Sequence, residues 1–165
     1  MTVMSWRKEY EIGVPQIDAE HRSLFDLVNE FHETYMRGDS RTQIPLVLNR
    51  LISYAEAHFQ HEEKLMEEIG YPLLDRQRKE HSDLVTSIFA INENLAIEPT
   101  HASGETVRFI KAWLLDHIVK DDMDIGDFLR RKTSHESKPQ PDPAGEPPKT
   151  APTGSAQAPE SGKSK

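Results

Sequence analysis

The chain has 165 residues, 36% of them hydrophobic, and a net charge of −8, a length that suits one domain with an extension. Because it contains no cysteine, disulfides, thiolate zinc sites, iron–sulfur clusters and cysteine nucleophiles are excluded. The acidic balance and the lack of an apolar run of ~18 residues argue against nucleic acid and membrane as partners.

Apolar residues are divided unevenly along the chain. Residues 133–165 contain no Leu, Ile, Val, Met, Phe, Tyr or Trp, and seven of the 11 prolines lie there. Such a segment cannot bury enough apolar surface to offset the entropy of ordering. We therefore expect a folded domain over residues 1–132 and a proline-rich, disordered C-terminal tail over residues 133–165.

The domain is expected to begin with an irregular N-terminal arm over residues 1–16, in which Trp6 and Tyr10 are apolar anchors. A helix is predicted next, because apolar residues recur at helical spacing in the segment that follows. Asp18 is the expected N-cap of this helix, and Gly38 is its expected end.

Three further segments show the same helical spacing. The second helix opens near Asp39-Ser40 and ends at Gly70, the third ends before Pro99, and the fourth runs from about Ser103-Gly104 to Lys132. No segment shows the alternation of a strand. Four amphipathic helices joined by short breaks favour an all-α fold, an up-down-up-down four-helix bundle.

Polar residues lie on the apolar stripe of every predicted helix. Those on the stripe are His21, His58, Glu62, Gln77, His81 and His117, with Asp121 and Asp122 about one turn beyond. A single inward histidine is more often a hydrogen-bonded core residue, but four on four helices favour a shared site. A buried carboxylate is costly unless it is paired or bound to metal. Converging imidazoles and carboxylates suit a dinuclear iron or manganese site, and zinc is an alternative.

Two blocks of the sequence resemble the hemerythrin family, in particular the bacteriohemerythrins. The first block is His58-Phe59-Gln60-His61-Glu62-Glu63 with the later Gly70-Tyr71-Pro72. The second is Trp113-Leu114-Leu115-Asp116-His117-Ile118 with Asp122. Either block alone is a weak signal, but together they are specific, and the resemblance covers about residues 4–130.

The resemblance implies reversible O2 binding at a non-haem di-iron centre that has five histidines, one Glu and one Asp as ligands. Carried over by position, His21 and His58 would hold one iron, and His81 and His117 would hold the other. Glu62 and Asp122 would bridge the two. The implied cofactor is thus a carboxylate-bridged pair of iron ions, and O2 is the implied partner. No net substrate turnover is needed, so we expect no enzyme activity. We also expect a monomer, and a cytoplasmic location because no signal segment is apparent.

The sequence departs from the family pattern at Gln77, where the family has a histidine four residues before His81. The second iron would keep two imidazoles. Three outcomes are open: the Gln77 carbonyl oxygen binds that iron, water fills the position, or iron binds poorly and the chain is an apo bundle. An underligated iron would admit a second small molecule. The alternative function is therefore a di-iron enzyme or sensor that handles O2, peroxide or nitric oxide.

The bridging aspartate raises a geometric question. Asp122 follows His117 by five residues, which is about 140° around an ideal helix, whereas Asp121 at a spacing of four is the better face-mate. The resemblance favours Asp122, and a local widening such as a π-bulge would reconcile the spacing. Asp121 and Glu63 are then expected to be solvated carboxylates, and His61 a helix-flank residue. The remaining histidines are expected to be exposed or capping: His32, His101 and His135.

Truncation of the chain after Lys132 should leave the thermal midpoint and metal binding almost unchanged, because nothing strongly apolar is removed. Thermal unfolding of the truncated and full chains checks this. A loss of several degrees would show that the tail docks on the domain.

Overall fold

The computed structural model describes residues 3–38, 43–97 and 104–136. A short 3-10 turn at Lys8–Tyr10 precedes the helices, and a π-helical turn at His117–Asp122 joins the last two. The helices are α1 (Pro15–Met36), α2 (Gln43–Ile69), α3 (Leu74–Ile97), α4 (Gly104–Asp116) and α5 (Met123–Glu136). The described ranges contain no strand, and α4, the π turn and α5 together form the predicted fourth helix. The all-α four-helix bundle is confirmed.

One apolar core fills the bundle. Helix α2 packs against both α1 and α3, and α4 packs against α1. Each helix contributes side chains that are less than 5% exposed, and among them are Leu24, Val28, Phe31, Leu48, Phe59, Leu84, Ile110 and Ile118. A smaller apolar cluster of Met66, Tyr71 and Ile125 closes one end of the bundle. The polar stripe residues lie along the same inner faces.

The first helix starts earlier than the sequence suggested, and the prediction of Asp18 as its N-cap is wrong. Helix α1 begins at Pro15, where a missing N–H costs nothing, and Val14 occupies the N-cap position. The buried Asp18 carboxylate instead accepts hydrogen bonds from the backbone N–H groups of Ile12 (2.7 Å) and Gly13 (3.2 Å). It therefore fixes the arm onto the helix.

The N-terminal arm is anchored as expected. The Trp6 ring makes edge-to-face contacts with Phe25 (5.2 Å between centroids) and Tyr10 (5.8 Å). The Asn29 side chain on α1 accepts hydrogen bonds from the N–H groups of Val3 and Met4, and it donates one to the Met4 carbonyl. These contacts seat the aromatic anchors against the inner face of α1.

The predicted helix ends at Gly38 and Gly70 are also found, since both have the left-handed φ values (74° and 67°) that glycine adopts without strain. The last helix continues to Glu136, four residues beyond Lys132. Residues 137–165, and so most of the predicted tail, lie outside the described residues, as does His101. No described helix is both long enough and apolar enough to cross a membrane.

Replacing Gly126 with alanine should destabilise the fold. A Cβ atom at this buried position on α5 would lie 2.6 Å from the carbonyl oxygen of Ile12 and 3.1 Å from its Cα. Because the obstacle is backbone, rotation of a side chain cannot relieve it, and the arm has to move. We expect a loss of roughly 1–3 kcal/mol in the free energy of unfolding, measured by urea denaturation.

The matched control is Gly104→Ala, whose new Cβ would meet, among the described residues, only the Arg108 side chain at 3.5 Å and the Tyr35 hydroxyl at 3.9 Å. Its free energy of unfolding should stay close to that of the parent. Equal stability of the two variants would show that the arm does not pack tightly on α5.

Candidate metal centre

Six of the polar stripe residues come together in the centre of the bundle. Helices α1 to α3 each contribute a histidine, α2 adds a glutamate, and the π turn contributes the rest. They are His21, His58, Glu62, His81, His117 and Asp122, and none is more than 3% exposed. Polar groups this deep are stable only when they are hydrogen-bonded, paired or bound to metal.

The Glu62 carboxylate lies between two pairs of histidines. Its Oε1 atom is 3.2 Å from Nε2 of His21 and 3.4 Å from Nε2 of His58. Its Oε2 atom is 3.5 Å from Nε2 of His81 and 3.9 Å from Nε2 of His117. Each oxygen thus faces a different pair.

The Asp122 carboxylate also lies between the two pairs of histidines. Its Oδ2 lies 3.2 Å from Nε2 of His21, and its Oδ1 lies 3.2 Å from Nε2 of His117. The π turn at His117–Asp122 brings two residues that are five apart onto the same side of the helix, so the predicted bulge is confirmed. The two carboxylates therefore each contact both histidine pairs.

The outer nitrogens of three histidines face a second set of carboxylates. Nδ1 of His58 donates to Glu20 (3.0 Å), and Nδ1 of His81 donates to Glu63 (2.9 Å). Asp121 lies 3.6 Å from Nδ1 of His117. Such outer partners fix the orientation of an imidazole and leave its Nε2 free to act as a ligand.

These outer carboxylates correct the sequence prediction. Glu63 and Asp121 are only partly solvated, with 25% and 23% of their side chains exposed, and each faces a buried histidine. Glu20 faces His58 in the same way, which the spacing of the apolar stripe does not predict. The sequence does contain a signal for these outer carboxylates, because each of the three is adjacent in sequence to an inner residue. A neighbour in a helix is rotated by about 100° and so reaches toward the next helix.

Arginines on α3 hold two of the outer carboxylates. Arg76 donates to Asp121 (2.7 Å), and Nε of Arg78 lies 3.5 Å from Glu63. His61 lies on the flank of its helix as expected, with its side chain 48% exposed and 2.8 Å from Glu20. It does not join the inner cluster.

Gln77 is fully buried, at 0% exposure, one helical turn before His81. Neither its Oε1 nor its Nε2 has a hydrogen-bond partner among the described residues. His32 is only partly exposed, and its Nδ1 has no hydrogen-bond partner within the described part of the chain, so this nitrogen caps no group there. The structure describes the backbone at His135 but not its surroundings.

The donor set suits metal ions. Besides Gln77, several inner atoms lack a partner in hydrogen-bonding geometry within the described residues: Nε2 of His58, Oε2 of Glu62 and both oxygens of Asp122. Buried polar atoms of this kind are rare in proteins and call for a missing partner. Two groups of ligand atoms lie within 4.8 Å of one another, His21/His58/Glu62 and Glu62/His81/His117. They share Glu62, as a bridged pair of ions requires.

A third acidic group, Glu80, His117 and Asp121, has similar spacing. The Arg76 guanidinium already lies among these residues, 3.4 Å from Glu80 and 2.7 Å from Asp121. Arg76 therefore supplies the positive charge that balances this third group, in the place that a metal ion would otherwise take.

Burial and the neighbouring charges shift the pKa values of the inner residues in opposite directions. Burial opposes protonation of His21, but hydrogen bonds and charge from Asp122 and Glu62 outweigh it and raise its pKa to about 9. Burial is likewise outweighed at His117, whose pKa is raised by Asp122, Asp121 and Glu62. At Glu62, burial is overcome by the nearby imidazoles, which lower its pKa. Without metal, protons on the imidazoles neutralise the inner carboxylates.

Comparison with known proteins agrees with this geometry. The family model described as the hemerythrin HHE cation binding domain matches residues 12–129. The bacteriohemerythrin of Methylococcus capsulatus is 32% identical over 130 residues, which cover 78% of this chain and 98% of that protein. That of Clostridium acetobutylicum is 29% identical, covering 74% and 98%, and the myohemerythrin of Theromyzon tessulatum is 26% identical, covering 68% and 82%.

A crystal structure of wild-type hemerythrin is similar to this chain, with a TM-score of 0.71 and 32% identity. The similarity covers 77% of this chain and 98% of that one. The family model spans α1 to α4, the π turn, the first half of α5 and the complete inner cluster. The chain therefore belongs to the hemerythrin family.

Proposed function

We propose that this protein binds O2 reversibly, for storage, transport or delivery, at two iron ions bridged by carboxylates. His21 and His58 would hold one ion, His81 and His117 the other, and Glu62 would bridge them together with Asp122. One observation carries the proposal: both oxygens of each inner carboxylate are divided between the two histidine pairs. A single ion would leave half of these donors unused.

When bound, iron supplies the reversible electron donation that O2 binding requires. The chain supplies orientation and a dry environment. Phe59 stacks on His81, with ring centroids 4.0 Å apart and an interplanar angle of 7°, and Trp113 stacks on His117 at 4.8 Å and 16°. These rings restrict imidazole rotation and cover one face of each of the two histidines. Nothing in this arrangement requires a substrate to be turned over.

A second candidate function rests on Gln77. If this residue leaves an ion without its third nitrogen ligand, a second small molecule can reach the ion, as in an enzyme or sensor that handles O2, peroxide or nitric oxide. The stacking of Phe59 on His81 covers one face of that imidazole, which favours the carrier. The two functions differ in whether the O2 adduct is released or consumed.

Reconstitution with ferrous iron under nitrogen, followed by exposure to air, distinguishes these functions. A carrier should contain two irons per chain and show new near-ultraviolet and visible absorption bands that vanish on deoxygenation. Rapid decay to a ferric form with consumption of peroxide would favour the enzyme. Failure to bind iron would overturn both functions.

Glu62→Ala should abolish binding of the metal pair and leave a helical protein, because the shared donor is removed. The apoprotein should unfold at a lower temperature, because the change removes one of the two carboxylates that pair with the buried, protonated His21. Metal analysis and circular dichroism measure the two effects. Glu56→Ala, at an exposed position on the same helix, is the matched control and should bind metal normally. Two ions bound to Glu62→Ala would refute the bridging role.

Metal loading should release protons. His21, with its pKa near 9, is protonated at pH 7, and that proton must leave before Nε2 can bind an ion. We expect the affinity of the apoprotein for Zn2+ to rise by at least about tenfold per pH unit between about pH 6.5 and 8.5. Chelator competition at several pH values measures this slope. A pH-independent affinity would contradict the protonated apo site.

As the pH rises, the stability of the apoprotein should fall, whereas its metal affinity should increase. Folding raises the pKa of His21 above its ordinary value of 6.5. The contribution of protonated His21 to the free energy of unfolding is therefore fully present below about pH 6.5 and is lost as the pH rises through about 9. The apoprotein thermal midpoint should therefore fall over this interval. A midpoint that rises from pH 6.5 to 9 would show that another group controls the site.

A further inference from the structure

We propose that Gln77 is itself a metal ligand, which binds the ion of the His81/His117 pair through its side-chain carbonyl oxygen. This inference rests on the proposed two-metal function and assigns a donor at the position where the chain departs from the family pattern. It also makes Gln77 a determinant of which metal occupies that position.

The first support is the state of the side chain. Gln77 is 0% exposed, and both its polar atoms lack a hydrogen-bond partner among the described residues. A buried amide left in this state is destabilising, whereas an apolar residue of similar size would not be. Two unpaired polar atoms on one buried side chain therefore indicate a partner from outside the chain.

The second support is its position on α3. Gln77 lies four residues before His81, so the two side chains share one face of the helix. His81 holds Glu63 through Nδ1, and its Nε2 lies 3.2 Å from Nε2 of His117. Two imidazole nitrogens already approach one point, and Gln77 lies one turn away along the same face.

The third support is the rotation of α3 about its axis. Arg76 and Arg78 precede and follow Gln77, and they contact the outer carboxylates Asp121 and Glu63. Because consecutive helical residues are about 100° apart, two outward arginines place the residue between them on the inner side. These ion pairs hold the helix in the orientation that a ligand at position 77 needs.

The donor type has a chemical consequence. An amide carbonyl is a neutral, hard oxygen donor that suits Mn2+, whereas imidazole suits Zn2+ and iron. Compared with a histidine at this position, Gln77 should therefore shift the preference of the His81/His117 ion toward Mn2+. Metal selectivity is a readout that does not depend on O2 binding.

The test titrates the apoprotein with Zn2+ and, separately, with Mn2+, against a competing chelator. Gln77→Leu should weaken one of the two bound ions by at least about tenfold, because outer-shell changes alone typically cost 10–100-fold. Gln77→His should tighten Zn2+ more than Mn2+, again by about tenfold or more. The control is Gln60→Leu, at an exposed position on α2, which should change neither affinity.

Thermal unfolding of the apoproteins distinguishes ligation from a structural role. A ligand glutamine has no partner in the apoprotein, so Gln77→Leu should raise the apo thermal midpoint while it lowers metal affinity. A glutamine with only a structural role would give a lower apo midpoint and unchanged affinity, and that result would overturn the inference.

The remaining outcomes separate this inference from the proposed function. A parent protein that binds no metal would overturn both. A parent that binds two ions, with Gln77→Leu binding both equally tightly, would overturn the inference alone. A parent that binds one ion, and gains the second only in Gln77→His, would show that Gln77 leaves its position empty, and this too would overturn it.

Discussion

Two carboxylates, Glu62 and Asp122, lie in the middle of an otherwise apolar bundle, and their charge determines where the neighbouring polar groups have to be. Neither side chain is more than 1% exposed. Charges at this depth are tolerated only when they are paired or bound to metal. Four imidazoles from different parts of the fold therefore converge on them, and the helices are held at the spacing that this convergence needs.

The compensation continues outward in layers of alternating charge. From Glu62 the contacts run through His81 to Glu63 and then to Arg78 at the surface. From Asp122 a matching series runs through His117 to Asp121 and Arg76. Each layer orients the one inside it, so the geometry of the inner cluster depends on ion pairs that are half exposed. Surface pairs contribute little by themselves, but here they position a buried donor.

The sequence predicts the helices and most of the inner cluster well because both follow from periodicity. Asp122 is the exception, since helical spacing favours Asp121 and only the family resemblance points to Asp122. Apolar spacing identifies a helix and its inner face, and glycines at positions 38 and 70 mark two of the ends. The outer carboxylates were missed since a residue 100° off the stripe looks solvated unless the neighbouring helix is known. Asp18 was misassigned for a related reason. Its partners, Ile12 and Gly13, belong to an irregular arm that has no period to read.

The π turn at His117–Asp122 also affects the chain beyond the metal centre. One extra residue in a turn shifts the phase of everything that follows by about 100° relative to α4. Helix α5 therefore presents Gly126 to the backbone of Ile12, and Arg130 donates to the Ile12 carbonyl at 3.1 Å. The metal centre and the docking of the arm share this one phase shift. A single-residue deletion that restored a regular helix would therefore misalign the metal centre and the contacts of the arm at the same time. Neither of these two features can change its alignment on the fourth helix without the other.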